Sequence, residues 1–179
     1  MIIGLSGYAQ TGKDTVANYL IEKYGFIRVA FADPIREAIY RLDPKIRLGE
    51  TSGVSLAHAV DNMGWEEVKR LSSDARELMQ RMGTEVGREI FGENFWVIQA
   101  MKKASQGDRI VFTDVRYPNE LQAILEASGA IWRVVRNDVG AVNVHASESA
   151  LDEYPFDQIL FNNDTKDSLY ESIDQFMTS

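Results

Sequence analysis

The chain has 179 residues, of which 45% are hydrophobic and 26% charged, and it contains no cysteine. This length fits one domain with a sizeable core, and the lack of cysteine excludes disulfides and thiolate metal sites. The net charge of −8 disfavours polymeric nucleic acid and acidic membranes as partners, and without a membrane-length apolar window or signal peptide a soluble, cytoplasmic protein is expected.

The N-terminus carries the most informative local pattern, an apolar run followed by a glycine-rich loop and an amphipathic helix. Ile2 to Leu5 form the run, Gly7, Gly12 and Lys13 match Gly-x4-Gly-Lys, and apolar residues recur at helical spacing from Val16. In such a loop, backbone N–H groups and the positive end of the helix dipole face a polyphosphate, and the lysine contacts the outer phosphates. The pattern favours nucleotide binding over a structural glycine-rich turn.

Asp14 departs from the usual form of this loop. The motif places Ser or Thr after the lysine, where the hydroxyl ligates magnesium, whereas here Thr15 comes one residue later. Adjacent helical residues point about 100° apart, so Thr15 does not replace that hydroxyl unchanged. Either Asp14 holds magnesium, directly or through water, or it stabilises the helix N-terminus through the dipole, and both readings stay open.

Five apolar runs predict the strands of an α/β fold. They are Ile2–Leu5, Phe26–Phe31, Arg109–Thr113, Ala130–Val135 and Gln158–Phe161. Helical patterns separate most of them, which predicts βαβ crossovers and a mainly parallel sheet with helices on both faces. Ligands of such sheets lie beyond the carboxyl ends of the strands, where polar residues follow each run.

About 75 residues separate the second and third strands, more than a single crossover helix requires. They predict a helical insertion with helices at Pro34–Arg41 and Leu56–Leu71, joined by a polar stretch at Lys45–Ser55. Asp33 is either the N-cap of the first helix or a residue at the ligand edge that orients a phosphate or a metal-bound water. Arg36, three residues further along the chain, is either a solvent-exposed residue of the helix or a residue that binds an acceptor phosphate.

A further helix is predicted from Ala75 to Ile90, with Asp74 as its cap and Glu77 completing a capping box. Two stripes at a spacing of four follow it: the core stripe Leu78, Met82, Val86 and Ile90, and the polar stripe Gln80, Thr84 and Arg88. Gly83 and Gly87 each cost about 1 kcal/mol in a helix interior. They indicate close approach of a backbone, a flat ligand or a tightly packed helix. Trp96 is interpreted as core rather than as a stacking platform for a base.

Charged residues lie at the ends of the later strands. Asp114 and Arg116 follow the third, where P-loop proteins place a carboxylate that serves the metal or the reacting group; the alternative is a surface ion pair. Arg133 is predicted to be exposed on the fourth strand. Arg136 follows that strand and begins an irregular stretch, Asn137 to Glu148, predicted to be a mobile lid. An amphipathic helix from Thr165 to Met177 closes the chain.

Taken together, the segments GYAQTGKDTVA, FADPIREAIY, LMQRMGTEVGREIFGENFW, VFTDVRYPNE and HASE resemble the deoxynucleoside monophosphate kinases of bacteriophages. The resemblance spans almost the whole chain and includes the unusual Lys-Asp-Thr after the loop. It implies a P-loop kinase with a three-layer α/β/α core at residues 1–33 and 105–179, an acceptor-binding helical insertion at about 34–104, and a lid at about 137–149. It also implies transfer of the γ-phosphoryl group of ATP, with Mg²⁺, to a deoxynucleoside 5′-monophosphate.

The resemblance also implies roles for individual residues. ATP would be held by Gly7, Ala9, Gln10, Thr11, Gly12, Lys13, Asp14 and Thr15, and Mg²⁺ by Asp14 and Asp114. The acceptor would be held by Asp33, Arg36, Gln80, Thr84, Arg88 and Trp96. Catalysis would use Lys13, Asp33, Asp114, Arg116 and Arg136.

Several questions stay open at the level of sequence. The predicted lid contains no arginine, unlike that of adenylate kinase relatives, which leaves Arg136 at its base as the candidate cation. Alternatives are a P-loop kinase for another phosphorylated acceptor, of the phosphomevalonate or dephospho-coenzyme A type, and a nucleotide-binding regulator without catalysis. The bases accepted, the selectivity for deoxyribose and the oligomeric state, including a homodimer, are left undecided. If phage-encoded, the protein is expected in the host cytoplasm.

Overall fold

A computed structural model describes residues 1–137, 139 and 150–178. They divide into two compact units, the first made of Met1–Phe31 with Ala100–Ser179 and the second of Ala32–Gln99. The lid expected at about 137–149 lies almost entirely outside the described residues and stays a prediction. Within the described part of the chain, no helix combines the length and apolar character that crossing a membrane requires.

Seven strands and eight α-helices are described, with one π-helical segment. In chain order they are β1 (Ile2–Ser6), α1 (Lys13–Tyr24), β2 (Ile27–Val29), α2 (Asp33–Leu42), β3 (Lys45–Leu48), β4 (Thr51–Ser55), α3 (Leu56–Leu71), α4 (Ser73–Arg81), the π-helical segment (Met82–Arg88), α5 (Glu89–Phe91), α6 (Phe95–Ala104), β5 (Ile110–Phe112), α7 (Pro118–Glu126), β6 (Ala130–Val135), β7 (Gln158–Phe161) and α8 (Lys166–Met177).

A five-stranded parallel sheet, in the order β2-β5-β1-β6-β7, forms the centre of the first unit. All five predicted strands are present, but the second is shorter than Phe26–Phe31. The backbone N–H of Phe26 donates to Leu20 within the C-terminal cap of α1, and that of Phe31 donates to the Asp114 carboxylate. The N–H groups of these two residues therefore form hydrogen bonds outside the sheet, and β2 is limited to Ile27–Val29.

Successive side chains of β1 point to opposite faces of the sheet. Helices pack against these side chains on both faces. Ile3 and Leu5 are fully buried in a cluster that includes Leu20 of α1 and Ile173 of α8. On the other face, Gly4 leaves space for Ile124 of α7, whose Cδ1 lies 2.7 Å from where a Cβ on residue 4 would be. The predicted closing helix is confirmed as α8, which Thr165 caps by accepting a hydrogen bond from the Ser168 N–H.

The second unit is helical, with a small antiparallel hairpin. Its core contains Ile39, Ile46, Leu56 and Val68, from α2, β3 and α3. The hairpin of β3 and β4 occupies Lys45–Ser55, the stretch predicted only to be polar. Five residues of β4 read Thr-Ser-Gly-Val-Ser, too polar and too short to give a strand pattern by periodicity.

The helix predicted from Ala75 to Ile90 is the least accurate element. Its cap is Ser72, whose hydroxyl accepts from the Ala75 N–H, so the assignment to Asp74 is wrong; the Asp74 carboxylate accepts from the Arg47 N–H. The helix then becomes π-helical over Met82–Arg88, where the Glu89 N–H donates to the carbonyl of Thr84, five residues back. A π turn holds more residues than an α turn, so residues spaced by four no longer share one face. Ile90 is accordingly 69% exposed and does not belong to the core.

Candidate functional site

The loop between β1 and α1 is shaped by left-handed backbone at several positions. Gln10 has φ 65° and Gly12 has φ 103°, and α1 begins at Lys13 without any side-chain cap. A helix N-terminus that no side chain caps, at the end of a glycine-rich loop, suits an anion. The local backbone therefore has the form that the Gly-x4-Gly-Lys pattern predicts.

Close packing explains why the two motif positions must be glycine. A Cβ on Gly7, which has φ 142°, would overlap the carbonyl oxygen of Val134 in β6. A Cβ on Gly12 would overlap the side-chain amide of Asn162, whose Nδ2 donates to the Thr11 carbonyl at 2.9 Å. The loop is thus held against the carboxyl ends of β6 and β7.

Lys13 lies over the loop that precedes it. Its Nζ donates to the carbonyl oxygens of Gly7 at 2.9 Å and Tyr8 at 2.7 Å. The ammonium group is therefore positioned at the loop, where phosphates would lie if the loop binds a nucleotide. Thr11 is buried and its hydroxyl donates to the Tyr8 carbonyl at 3.0 Å, which tightens the same turn.

Asp14 and Thr15 occupy the first turn of α1. The Asp14 side chain is exposed and Thr15 is half-buried. Gly12, and not Asp14, holds the N-cap position of α1, and no side-chain cap hydrogen bond is present there. The Asp14 carboxylate therefore acts on this helix end at most through the dipole, or serves a ligand.

Asp114 and Arg116 follow β5, as predicted. Asp114 accepts a hydrogen bond from the Phe31 N–H at 2.8 Å, which ties its carboxylate to the segment after β2. The Arg116 N–H donates to the buried carboxylate of Glu120 at 2.7 Å, and its side chain is exposed. Gly7, Ala9 and Arg116 line one small cavity of about 10 Å³, so the loop and the end of β5 meet in the first unit.

Arg133 is buried, so the prediction that it is exposed is wrong. Its side chain, on β6, ion-pairs with Asp152 at 2.6 Å. A cation within the otherwise apolar run Ala-Ile-Trp-Arg-Val-Val could have been recognised as buried and paired, since strands covered on both faces rarely hold an unpaired charge. Arg136, just after β6, is exposed.

The predicted acceptor residues that lie in the second unit have different environments. Asp33 is the first residue of α2 and not its N-cap, a position that Ala32 holds without a side-chain hydrogen bond. Gln80 and Thr84 are exposed and Arg88 is half-buried. Gln80 lies in α4, whereas Thr84 and Arg88 lie in the π-helical segment, so the three do not form the straight stripe that the spacing predicts.

Arg36 contains the one buried polar side-chain atom that lacks a hydrogen-bond partner within the described part of the chain. This atom is its Nε, while Nη2 donates to Glu66 at 3.0 Å. Burial raises the pKa of Glu66, but its ion pairs with Lys69 and Arg36 outweigh burial and lower it overall. An orphaned guanidinium donor is unfavourable in the isolated protein and fits a further anionic partner.

Trp96 accounts for the two glycines of the π-helical segment. It is 9% exposed, and its Nε1 donates to the Gly83 carbonyl at 3.1 Å. A Cβ on Gly87 would overlap the indole, so the flat group that approaches this helix is a side chain of the same chain. One edge of Trp96 also lines a cavity of about 470 Å³ in the second unit, together with Pro34, Phe91, Phe95 and Gln99.

No group of three or more histidine or acidic side chains that could hold a metal occurs among the residues that the structure describes. A magnesium ion held by one or two carboxylates of the protein would also take oxygens from a bound phosphate. That is the usual arrangement for Mg²⁺, which takes one or two carboxylates together with substrate phosphates. Asp14 and Asp114 are the two carboxylates predicted for this role.

The sequence pattern places Asn162 at the ligand edge but does not show its contact with the loop, and it leaves Glu120 unnoticed. Asn162 and Glu120 fix the loop and the Arg116 turn, respectively, through hydrogen bonds to backbone groups. Asn162 does follow a predicted strand, which marks it as a residue of the ligand edge. Glu120 follows a proline at the start of α7, the position of a capping-box acid, and this pattern could have revealed it.

Comparison with known proteins agrees with these features. The family model described as deoxynucleotide monophosphate kinase matches residues 53–173. A putative deoxynucleotide monophosphate kinase of Acanthamoeba polyphaga mimivirus is 29% identical, over 97% of this chain and 94% of its own length. The deoxynucleotide monophosphate kinase of Escherichia phage RB69 is 22% identical, over 98% of this chain and 99% of its own.

Among solved structures, shikimate kinase from Aquifex aeolicus is similar in fold. Its TM-score is 0.51 at 11% identity, covering 99% of this chain and 96% of that one. At this identity the likeness concerns the fold alone. Together with the parallel sheet covered by helices on both faces, it confirms the predicted three-layer α/β/α architecture of the P-loop kinase class.

Proposed function

The chain belongs to the deoxynucleotide monophosphate kinase family, and from this premise we propose that it transfers the γ-phosphoryl group of ATP, with Mg²⁺, to a deoxynucleoside 5′-monophosphate. The products are ADP and the deoxynucleoside diphosphate. One observation carries the assignment of the donor site: Lys13 lies over a glycine-rich loop that ends in an uncapped helix N-terminus. A cytoplasmic site of action, where both nucleotides occur, is part of the proposal.

In this proposal the loop holds the donor phosphates by its backbone. The N–H groups at the start of α1 face the phosphates, and Lys13 exchanges the carbonyls of Gly7 and Tyr8 for phosphate oxygens. Such an exchange costs little, because the ammonium group already points into the loop. The remaining loop positions, Ala9 to Thr11 and Asp14 to Thr15, complete the donor site.

Charge stabilisation around the transferred group is assigned to the end of β5 and to Arg136. Phosphoryl transfer requires little covalent chemistry from the protein, so positioning and electrostatics supply most of the rate enhancement. The fixed backbone of Arg116 allows its exposed guanidinium to approach a ligand without reordering the turn. Arg136 is the cation available at the start of the predicted lid.

Magnesium, when bound, would neutralise negative charge on the phosphates. Asp14 and Asp114 are the carboxylates that we assign to it, through water where the distance requires. Asp14 is exposed in the first turn of α1. Asp114 is kept in one orientation by the hydrogen bond from Phe31.

The acceptor is assigned to the second unit. The orphaned Nε of Arg36 supports binding of a phosphate, since a dianion can take the second donor of the guanidinium in a forked contact. Asp33, Gln80, Thr84, Arg88 and Trp96 remain the other acceptor residues of the proposal. The mostly apolar cavity of about 470 Å³ supports an acceptor with a planar ring, because its volume and aromatic walls are typical of small-ligand sites.

A substrate panel tests the function directly. The protein is incubated with Mg-ATP and, separately, each deoxyribo- and ribonucleoside 5′-monophosphate, and formation of ADP and of the diphosphate product is followed by chromatography. We expect diphosphate from at least one deoxynucleotide, in equal amount to ADP. ADP formed without an acceptor would indicate only an ATPase, and no product with any acceptor would refute the proposal.

The acceptor assignment has its own matched pair of variants. Arg36→Lys keeps the charge but removes the forked donor, so the KM for the deoxynucleotide should rise about tenfold, whereas the KM for ATP should change little. Arg41→Lys, at an exposed arginine of the same helix that pairs with Glu37, is the control. Equal effects of the two variants on the acceptor KM would contradict the role of Arg36.

A further inference from the structure

A buried cation supports the first half of the phosphate loop and has no part in the proposed chemistry. Arg133 is 8% exposed on β6. Its Nη1 donates to the Ser6 hydroxyl at 3.2 Å, and its Nη2 donates to Asp152 Oδ1 at 2.6 Å. Both terminal nitrogens are therefore engaged by protein oxygens.

Asp152 joins this cation to the loop itself. Its second oxygen, Oδ2, accepts a hydrogen bond from the Tyr8 hydroxyl at 2.6 Å. The Tyr8 ring also lies against the guanidinium, with 4.9 Å between Arg133 Cζ and the ring centroid, and Phe156 lies 5.3 Å from the same atom. One carboxylate thus bridges a buried cation and a phenol of the Gly-x4-Gly-Lys motif.

The positions of these contacts along the chain give them a consequence for the loop. Ser6 and Tyr8 flank Gly7, and both are bound to the Arg133–Asp152 pair. The carbonyls of Gly7 and Tyr8 are the two groups that accept from Lys13. The pair therefore fixes the part of the loop that places the lysine.

We propose that Tyr8, Asp152 and Arg133 are positioning residues that hold the first half of the phosphate loop in the conformation that binds ATP. Arg133 does not contact phosphate in this arrangement, because an incoming phosphate would have to displace Asp152 from it. The proposal rests on the proposed function in one respect, the identity of the loop as the ATP site. The proposal adds three residues to the donor site. Asp152 and Arg133 lie outside the motif, and Tyr8 occupies one of the variable positions within it.

The choice of variant follows from burial. Truncating Asp152 to alanine would leave a buried guanidinium with neither its counter-charge nor its hydrogen-bond acceptor, whereas asparagine keeps an oxygen that accepts from Arg133. Tyr8→Phe removes only the hydroxyl and keeps the ring on Arg133. Tyr24→Phe is the matched control, since the Tyr24 hydroxyl donates to Asp174 at 2.7 Å in the same unit and away from the loop.

The test compares ATP binding with turnover. For Tyr8→Phe we expect the Kd for Mg-ATP, measured by isothermal titration calorimetry, to rise about fivefold to tenfold, the scale of one ordinary hydrogen bond that is not deeply buried. The kcat with saturating ATP should stay within about twofold of wild type, because the loop reaches the same conformation once occupied. Tyr24→Phe should leave both values unchanged. An unchanged Kd in Tyr8→Phe, or an equal rise in Tyr24→Phe, would overturn the proposal.

A double-mutant cycle with Asp152→Asn adds a second measurement. If the hydroxyl acts through this carboxylate, Tyr8→Phe should weaken ATP binding less in the Asp152→Asn background than alone. Fully additive losses would refute the link. Because Kd is measured without an acceptor, it tests the positioning role even if no deoxynucleotide is phosphorylated, whereas a wild-type protein that does not bind ATP would defeat both proposals.

Discussion

Gly12 ends the phosphate loop with a left-handed backbone, and a Cβ at that position would overlap the Asn162 amide. The motif thus needs glycine for two separate reasons, one of conformation and one of packing against the end of β7. The sequence motif contains only the first. Asn162, 150 positions along the chain, is visible as its partner only in the folded structure.

Lys13 should be indispensable for turnover and dispensable for the fold. We expect Lys13→Ala to lower kcat/KM at least about 100-fold, because it removes the cation that the loop directs at the phosphates. Its hydrogen bonds to loop carbonyls are only part-buried, so the melting temperature should change little. Steady-state kinetics and calorimetry check both, with Lys102→Ala, at an exposed position of α6, as the control. Near wild-type turnover in Lys13→Ala would refute the donor site.

Gly87 and Gly83 provide a second residue-scale prediction. Gly87→Ala should destabilise the protein by about 1 to 3 kcal/mol, because its methyl group would overlap the Trp96 indole. Gly83→Ala should be neutral or stabilising by up to about 1 kcal/mol, since it meets only the flexible end of Ile35 and gains helix propensity. Urea unfolding measures both.

A further variant tests whether overlap with the Trp96 indole causes the destabilisation expected for Gly87→Ala. In a Trp96→Phe background, where the side chain is smaller, Gly87→Ala should cost less than it does alone. An equal cost in both backgrounds would show that the indole is not the obstacle. Destabilisation by Gly83→Ala would contradict the argument that a Cβ at this position meets only the flexible end of Ile35.

At the scale of elements, the π-helical segment is where pattern and structure differ most. Spacing by four predicts a core stripe that ends at Ile90 and a straight polar stripe through Arg88. Hydrogen bonds in the π-helical segment join residues that are five apart and not four. The residues after Met82 are therefore rotated about the helix axis relative to α4, and Ile90 is exposed. Periodicity assumes one helix type throughout, so it could not show this change. The glycines that permit the close approach of Trp96 were the available clue.

The contact between α1 and α8 gives a pH-dependent prediction. Hydrogen bonds from Lys23 and Tyr24 lower the pKa of Asp174 below its ordinary value of 3.8. A folded-state pKa below the unfolded value means that the unfolded state binds more protons in acid, so this stabilisation is present above about pH 3.8 and is lost as pH falls through the folded pKa. The same contacts raise the pKa of Lys23 above its ordinary value of 10.5. The stabilisation of the folded state by the charged Lys23 is therefore fully present below that pH and is lost only as pH rises through the folded pKa.

Asp174→Asn should therefore lower the melting temperature slightly at neutral pH, and the difference from wild type should vanish in acid. Differential scanning calorimetry across a pH series checks this, with Glu171→Gln, at an exposed position of the same helix, as the control. A difference that persists unchanged below the folded pKa of Asp174 would show that the carboxylate acts by packing and not by charge.

At the scale of the whole molecule, ATP binding should stabilise the native state. At a concentration of about 100 times its Kd, a ligand that binds only the folded protein adds about 2.7 kcal/mol, which corresponds to a rise in melting temperature of roughly 5 to 10 °C for a chain of this size. Differential scanning fluorimetry with Mg-ATP measures it. Lys13→Ala should show less than half of the shift, and no shift in wild type would contradict the donor site.

Much of the architecture and of the donor loop could be predicted from the chain alone. The five strands and the closing helix occur where the apolar pattern places them, and so does the helix from Leu56 to Leu71, except that Gly64, with φ 77°, interrupts it with a kink. The hairpin at Lys45–Ser55 could not be predicted in that way, because its strands are short and polar. The cap of α4 was misplaced because Ser72 and Asp74 are both good cap residues, and only the folded backbone distinguishes them.

The sequence by itself determined the phosphate loop, the parallel sheet and the family, because each depends on neighbours close along the chain or on the order of motifs. Tertiary structure decided the rest. Arg133 is a supporting residue and not an exposed one because Asp152 and Tyr8 reach it from distant segments. Burial, the partner of a charge and the space left beside a glycine depend on residues that folding brings together, and a linear pattern does not contain them.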